Sequence, residues 1–151
     1  MVNNLLILMY LMLVSGYTSQ TNYVDPTGTY DLSSRVRKKG GEIYGYFGTI
    51  QIKKLTKSRI ILNFYVCKGA PSYNSGSFID TLTYNNNKAI YTDPELDQSC
   101  KITFEVLKNG IKVTEETDDY NSGCGFGHAV IADGFYKIVS KKVPVLINPA
   151  Y

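Results

Sequence analysis

The chain has 151 residues, with 16 Lys and Arg against 13 Asp and Glu and a net charge of +3. That excess is too small to imply nucleic acid; it is compatible with an anionic surface polymer or an acidic cleft as partner. There is no Trp but there are 13 Tyr and 6 Phe, a composition suited to pleated, half-wet surfaces.

The chain opens "MVNNLLILMYLMLVSGYTSQTNYVD", with no charged side chain before Asp25. Leu5 to Val14 is an apolar run too short to span a bilayer and of signal-peptide length. Ser15, Gly16, Thr18 and Ser19 supply the small residues that a signal peptidase requires. Residues 1–19 are therefore expected to be a signal peptide cut near residues 16–20, with export to the periplasm or the extracellular medium. A buried N-terminal strand or helix is the alternative. Residues 20–140 then form one domain with a real core, and 141–151 a loosely held tail.

The mature part reads as short strands split by turns, with no window of helical length that keeps a 3.6-residue apolar period. "GTYDL" (Gly28 to Leu32) is the first strand, and the charged "SSRVRKKGGE" is a link. "YGYFGTIQIKKL" (Tyr44 to Leu55) and "RIILNFYV" (Arg59 to Val66) follow, the second with Ile60, Leu62, Phe64 and Val66 on one face. After the polar loop "CKGAPSYNSGS" come "FIDTLTY" (Phe78 to Tyr84), the turn "NNNK", and "AIYT" (Ala89 to Thr92). "DPELDQS" is a second long loop. "CKITFEVL" (Cys100 to Leu107) alternates, with Ile102, Phe104 and Val106 inward, and "KNG" marks a hairpin into "IKVTEET". "SGCGFGHAVIADGFYKI" supplies two last strands across Asp133-Gly134. All five Pro fall outside these strands. The expected fold is all-β: one small antiparallel up-and-down β-barrel of about eight strands, with a β-sandwich as the alternative.

Cys67, Cys100 and Cys124 allow at most one internal bridge. If Cys100 to Leu107 pairs with Ile111 to Thr117, Cys100 and Cys124 lie near the same open end, which makes them the expected disulfide and Cys67 the free thiol. Three reduced, buried cysteines are the alternative, disfavoured in an oxidising compartment.

Several constellations resemble sites. Cys124 and His128 have the residue types of a thiol nucleophile and its base, but four residues of extended chain separate them by about 13 Å. The His128 ring is expected to be half-buried and bonded within the sheet. Asp93, Glu95 and Asp97, with Asp118 and Asp119, form oxygen-rich loops without EF-hand spacing, so solvated acidic loops are expected and no metal or other cofactor. A single His argues against a zinc site, which needs several His or Cys ligands. Arg35, Arg37, Lys38 and Lys39, then Lys53, Lys54, Lys57 and Arg59, read as a solvated basic rim.

At Cys100 and "CGFGHAVIADGFYKI" the chain resembles small secreted bacterial lysozyme-inhibitor-like domains. Their pattern is an alternating strand opened by Cys, then Cys-Gly-Phe-Gly, an apolar strand, Asp-Gly and an aromatic. "GTY" and "KAIYT" look similar too; the match spreads over Gly28 to Ile138 and is firmest in the last third. The resemblance implies an antiparallel barrel, a Cys100–Cys124 bridge and inhibition of a bacteriolytic glycosidase. Such inhibitors plug the cleft with a loop bearing Ser, Tyr or a basic residue. Ser72, Tyr73, Asn74, Ser75 and Ser77 are the candidate binding loop, with Tyr73 as its anchor and the Asp93 to Ser99 loop beside it. A cationic lysozyme would repel a +3 protein at long range, which counts against this partner. The expected function is thus that of a secreted, monomeric, non-enzymatic binding protein whose partner is a glycosidase such as lysozyme or another protein, with neither a nucleic-acid partner nor a membrane span. A lipocalin-like carrier of a small apolar ligand is the second class, which the large inward residues Phe64 and Phe104 disfavour. A small enzyme is the third, disfavoured by the missing acid–base pair.

Overall fold

The computed structural model describes residues 22–146, so the expected leader and the last residues of the tail lie outside it. The described residues form nine strands: β1 (Gly28–Leu32), β2 (Arg37–Lys39), β3 (Glu42–Lys54), β4 (Arg59–Gly69), β5 (Ser75–Asn85), β6 (Lys88–Asp93), β7 (Asp97–Leu107), β8 (Gly110–Glu116) and β9 (Gly134–Ser140). From β2 to β9 each strand pairs antiparallel with the next, and β1 pairs with both β9 and β3. That last pairing closes eight strands into a barrel and leaves β2 outside, laid along the start of β3. Closure removes the exposed edges that an open sheet of this length would present. Among the described residues no helix is long and apolar enough to cross a membrane.

Alternation in sequence becomes alternation across the barrel wall. Ile50 and Ile52 of β3, Ile60, Leu62, Phe64 and Val66 of β4, and Ile102, Phe104 and Val106 of β7 are all buried. The interior is filled. Phe64 stands at its centre, with the rings of Phe78, Phe104, Tyr136 and Phe126 at 5.4, 5.7, 5.9 and 6.0 Å. Aromatic rings bury large areas and favour such tilted and offset contacts, so this cluster is the main apolar contribution at mid-barrel.

The wall is least zipped between β5 and β6. Only Tyr84↔Ala89 and Asn85↔Lys88 pair there, beside the two-residue turn Asn86-Asn87. Beyond them the gap is filled by side chains, with Phe78 and Tyr91 stacked at 3.6 Å, and the Thr81 N–H is taken by the Asp80 carboxylate.

The two ends of the barrel differ. At one end the chain turns tightly, at 55–58, 86–87 and 108–109. The Asn86-Asn87 turn has both residues at positive φ (49° and 60°), as a type I′ turn requires and as Asn tolerates. The other end carries the loop 70–74, the turn 94–96 and the long connection 117–133.

Two expectations change. The "SSRVRKKGGE" link contains β2 and its Gly40-Gly41 turn. The final hairpin does not form: only β9 follows Asp133, and 126–133 is irregular. The β8–β9 ladder stops at Val113↔Gly134. Past that point side chains replace it: the Glu115 N–H donates to the Asp133 carboxylate, and the Ala132 N–H donates to the Glu115 carboxylate at 2.6 Å.

Candidate functional site

The loops of one barrel end form a continuous surface, and its centre is the 117–133 connection. Cys124 is bridged to Cys100 of β7, with the two Cα atoms 4.9 Å apart. Cys124 sits in a short 3-10 turn, Gly123–Gly125, at φ 57°, and Gly125 follows at φ 67°. Two successive left-handed residues turn the chain sharply inward, a geometry that Gly125 adopts without a Cβ penalty. Phe126 is thereby driven into the mouth, where its ring stacks on Phe64 and lies over Gly76. A Cβ at Gly76 would come within 2.3 Å of that ring, so β5 must carry glycine there. The mouth is plugged.

Asp97 organises the acidic side of this surface. Its carboxylate accepts from the Ser99 hydroxyl (2.6 Å), the Ser99 N–H (2.9 Å), the Thr117 hydroxyl (3.0 Å) and the Cys124 N–H (2.9 Å). The Ser99 hydroxyl above all, then the Cys124 N–H, holds its pKa far below the usual carboxylate range. Asp97 thus ties the start of β7 to the end of β8 and to the 3-10 turn. Asp119 does the same locally for Ser122 and Asn121, and its pKa is lowered by the Ser122 hydroxyl first. A shallow hollow of about 340 Å³ lies between these groups, lined by Leu96, Asp97, Ser99, Asp118, Asp119 and Ser122. Together residues 93–99 and 117–123 carry five carboxylates and no Lys or Arg. No group of three His, Cys, Asp or Glu side chains placed to hold a metal ion occurs among the described residues.

On the other side lies the predicted binding loop. β4 runs three residues past Val66 and β5 begins three before Phe78, so Ser75 and Ser77 are strand residues with exposed side chains. The true loop is 70–74, entered by a cis Ala70–Pro71 peptide. Ser72 is exposed at its tip. Tyr73 stands at φ 52° and its hydroxyl donates to Glu42 (2.6 Å) while accepting the Ile43 N–H (2.9 Å). That carboxylate contact raises the Tyr73 pKa. Tyr73 braces the loop against the β2–β3 hairpin. Asn74 Nδ2 (2.9 Å) and Lys68 Nζ (3.0 Å) both donate to the His128 carbonyl, and the Gly127 N–H donates to the Ser75 carbonyl.

His128 is exposed in the loop, contrary to the expected half-buried ring within the sheet; its backbone carbonyl is the part in use. The connection passes between the two predicted loops, meeting Leu96 at Gly125 and Asn74 at Gly127. Both loops are thereby brought to one face. The sequence reading placed neither the connection at the centre of that face nor β2 at its side; the unusual length and glycine content of 117–133 was the available clue.

No family model, curated protein or solved structure matches this chain. The fold and this face define its class: a closed, filled, disulfide-stapled antiparallel barrel with one braced loop surface.

Proposed function

We propose that this chain is a secreted, non-enzymatic binding protein that meets a folded partner with the loop end of its barrel. In its sharpest form the partner is a bacteriolytic glycosidase of the lysozyme type, whose cleft the 70–74 loop enters. The observation that carries the reading is the bracing of that loop from two sides, by Tyr73 on Glu42 and by Asn74 and Lys68 on the His128 carbonyl. A loop already held in one conformation loses little entropy on binding. The exposed hydroxyls of Ser72, Ser75 and Ser77 can donate to a pair of glycosidase carboxylates, and occlusion needs no chemistry from the inhibitor.

Charge segregation supports the same partner. The net charge of +3 argued against a cationic enzyme, yet the rim formed by 93–99 and 117–123 is wholly acidic. A cationic partner would be steered to that rim by local field rather than turned away by net charge.

The test is cell-wall lysis by a purified cationic lysozyme in graded amounts of the protein. Dose-dependent slowing is expected, weakened at least about tenfold by Ser72→Trp at the tip and by about threefold or more by Asp118→Lys on the rim. No slowing at excess protein contradicts the glycosidase form. Slowing that both variants leave intact contradicts the face.

A further inference from the structure

At the barrel end opposite the loops a groove of about 900 Å³ crosses the mouth, within the roughly 300–1,000 Å³ range of small-molecule sites. Its floor is apolar, formed by the ring of Tyr30, which is buried, and by Ile138. Leu107 at the end of β7 and Val143 beyond β9 flank it and remain 41% and 64% exposed. Its walls are fixed. Asn87 accepts the Val24 N–H and donates to the Asn22 carbonyl, and the Tyr84 and Tyr30 hydroxyls donate to the carbonyls of Val24 and Pro26.

The rim carries Lys53, Lys54, Lys108 and Lys141 against a single carboxylate, Asp25, which is bonded to Lys54. Four ammonium groups against one carboxylate give this groove the same net charge as the whole chain. Lys57 adds to the field, its ammonium standing over the Tyr23 ring at 5.9 Å. Like charges gathered around an open apolar trough repel one another and leave both features unsatisfied. An anion with an apolar body would satisfy both. Residues 1–21 and 147–151 contain no Asp or Glu side chain, so neither segment offers a carboxylate side chain to this rim. The surface is concave, which suits a single dispersed molecule better than a bilayer.

We propose that this groove is a binding site for a long-chain carboxylate, its alkyl chain over Tyr30, Ile138 and Leu107 and its head group among Lys108, Lys141 and Lys53. The site lies at the opposite mouth from the loops and does not depend on the partner proposed there.

Isothermal titration with dodecanoate, below its micelle concentration, tests it. One-to-one binding is expected, at least about tenfold weaker for the uncharged methyl ester and for Lys108→Glu/Lys141→Glu. Lys38→Glu/Lys39→Glu, which changes the net charge equally on the distant β2 strand, should stay within about twofold. Absence of dodecanoate binding overturns the proposal. So does equal loss in both double variants, equal affinity for the ester, or retention on anionic vesicles that dodecanoate does not displace.

Discussion

The two ends of this barrel solve the same problem differently. At the turn end the reversals are two to four residues long; Asn86-Asn87 turns the chain at positive φ angles that Asn tolerates, and segment 22–26 is tied on by hydrogen bonds to Asn87, Tyr84 and Tyr30. At the loop end the chain spans long intervals, and distant groups hold it: a disulfide, an aspartate with four donors, a tyrosine hydroxyl and one carbonyl with two donors. One end thus reverses in tight turns, and the other consists of longer connections stapled by a disulfide and a shared carboxylate. A stapled end can carry exposed polar groups in fixed positions, which is what recognition uses.

The core supports both ends, so its disruption sets the upper limit. Phe64→Ala removes the ring that four other aromatics contact and is expected to cost about 3–5 kcal/mol by urea denaturation. Because Phe126 stacks on Phe64, the variant should also expose the loop end to proteolysis before the turn end. Equal loss at both ends would weaken the distinction drawn here.

The staple itself comes next. Cys124→Ser should lower stability by about 2–4 kcal/mol. Cys67→Ser should cost less than about 1 kcal/mol, since a hydroxyl can inherit the contacts of Cys67 Sγ with the Gly69 N–H and the Tyr73 carbonyl. Comparable losses would contradict the assignment of bridge and free thiol.

A smaller effect is expected at the turn end. Asn87→Ala loses the bonds to Val24 and Asn22 and places Ala at φ 60°, for about 1–2 kcal/mol. Its effect should not extend to the exchange of amides in 117–133.

Acid separates the two carboxylates of the stapled end with the smallest signal. The pKa of Asp97 is depressed in the fold, so its stabilisation is present above about pH 4, the unfolded value, and is lost as pH falls below it. The pKa of Glu115 is raised, chiefly by burial, so its ionisation opposes folding as pH rises above about 4. Urea midpoints should therefore vary less below pH 4 in Asp97→Asn and less from pH 4 to 7 in Glu115→Gln. The opposite pattern would show the signs to be wrong.

Legibility followed the same division. The strands that alternate, such as Cys100 to Leu107 and Arg59 to Val66, were readable because every second side chain is buried. Their extensions were not: Cys67-Lys68-Gly69 and Ser75-Gly76-Ser77 pair as strands with the polar composition of a loop. β2 escaped notice because all three of its residues are exposed and no period marks it. The expected last hairpin failed because Glu115 and Asp133 carry by side chain the bonds a ladder would have made. Of the candidate loop, composition indicated the place but not the bond of Tyr73 to Glu42, which lies 31 residues away. Long-range polar contacts of this kind leave no periodic trace.

The claim on which the proposed recognition face rests is that 117–133 is held rigidly by long-range groups. Amide hydrogen exchange, measured residue by residue in the oxidised protein and after reduction, tests it most directly. The amides of Cys124, Gly127, Ala129 and Ala132 should be protected when oxidised, because each is bonded within the fold. On reduction Cys124 should lose protection first, with the 86–87 turn unchanged. Free exchange of those four amides in the oxidised protein would contradict the account.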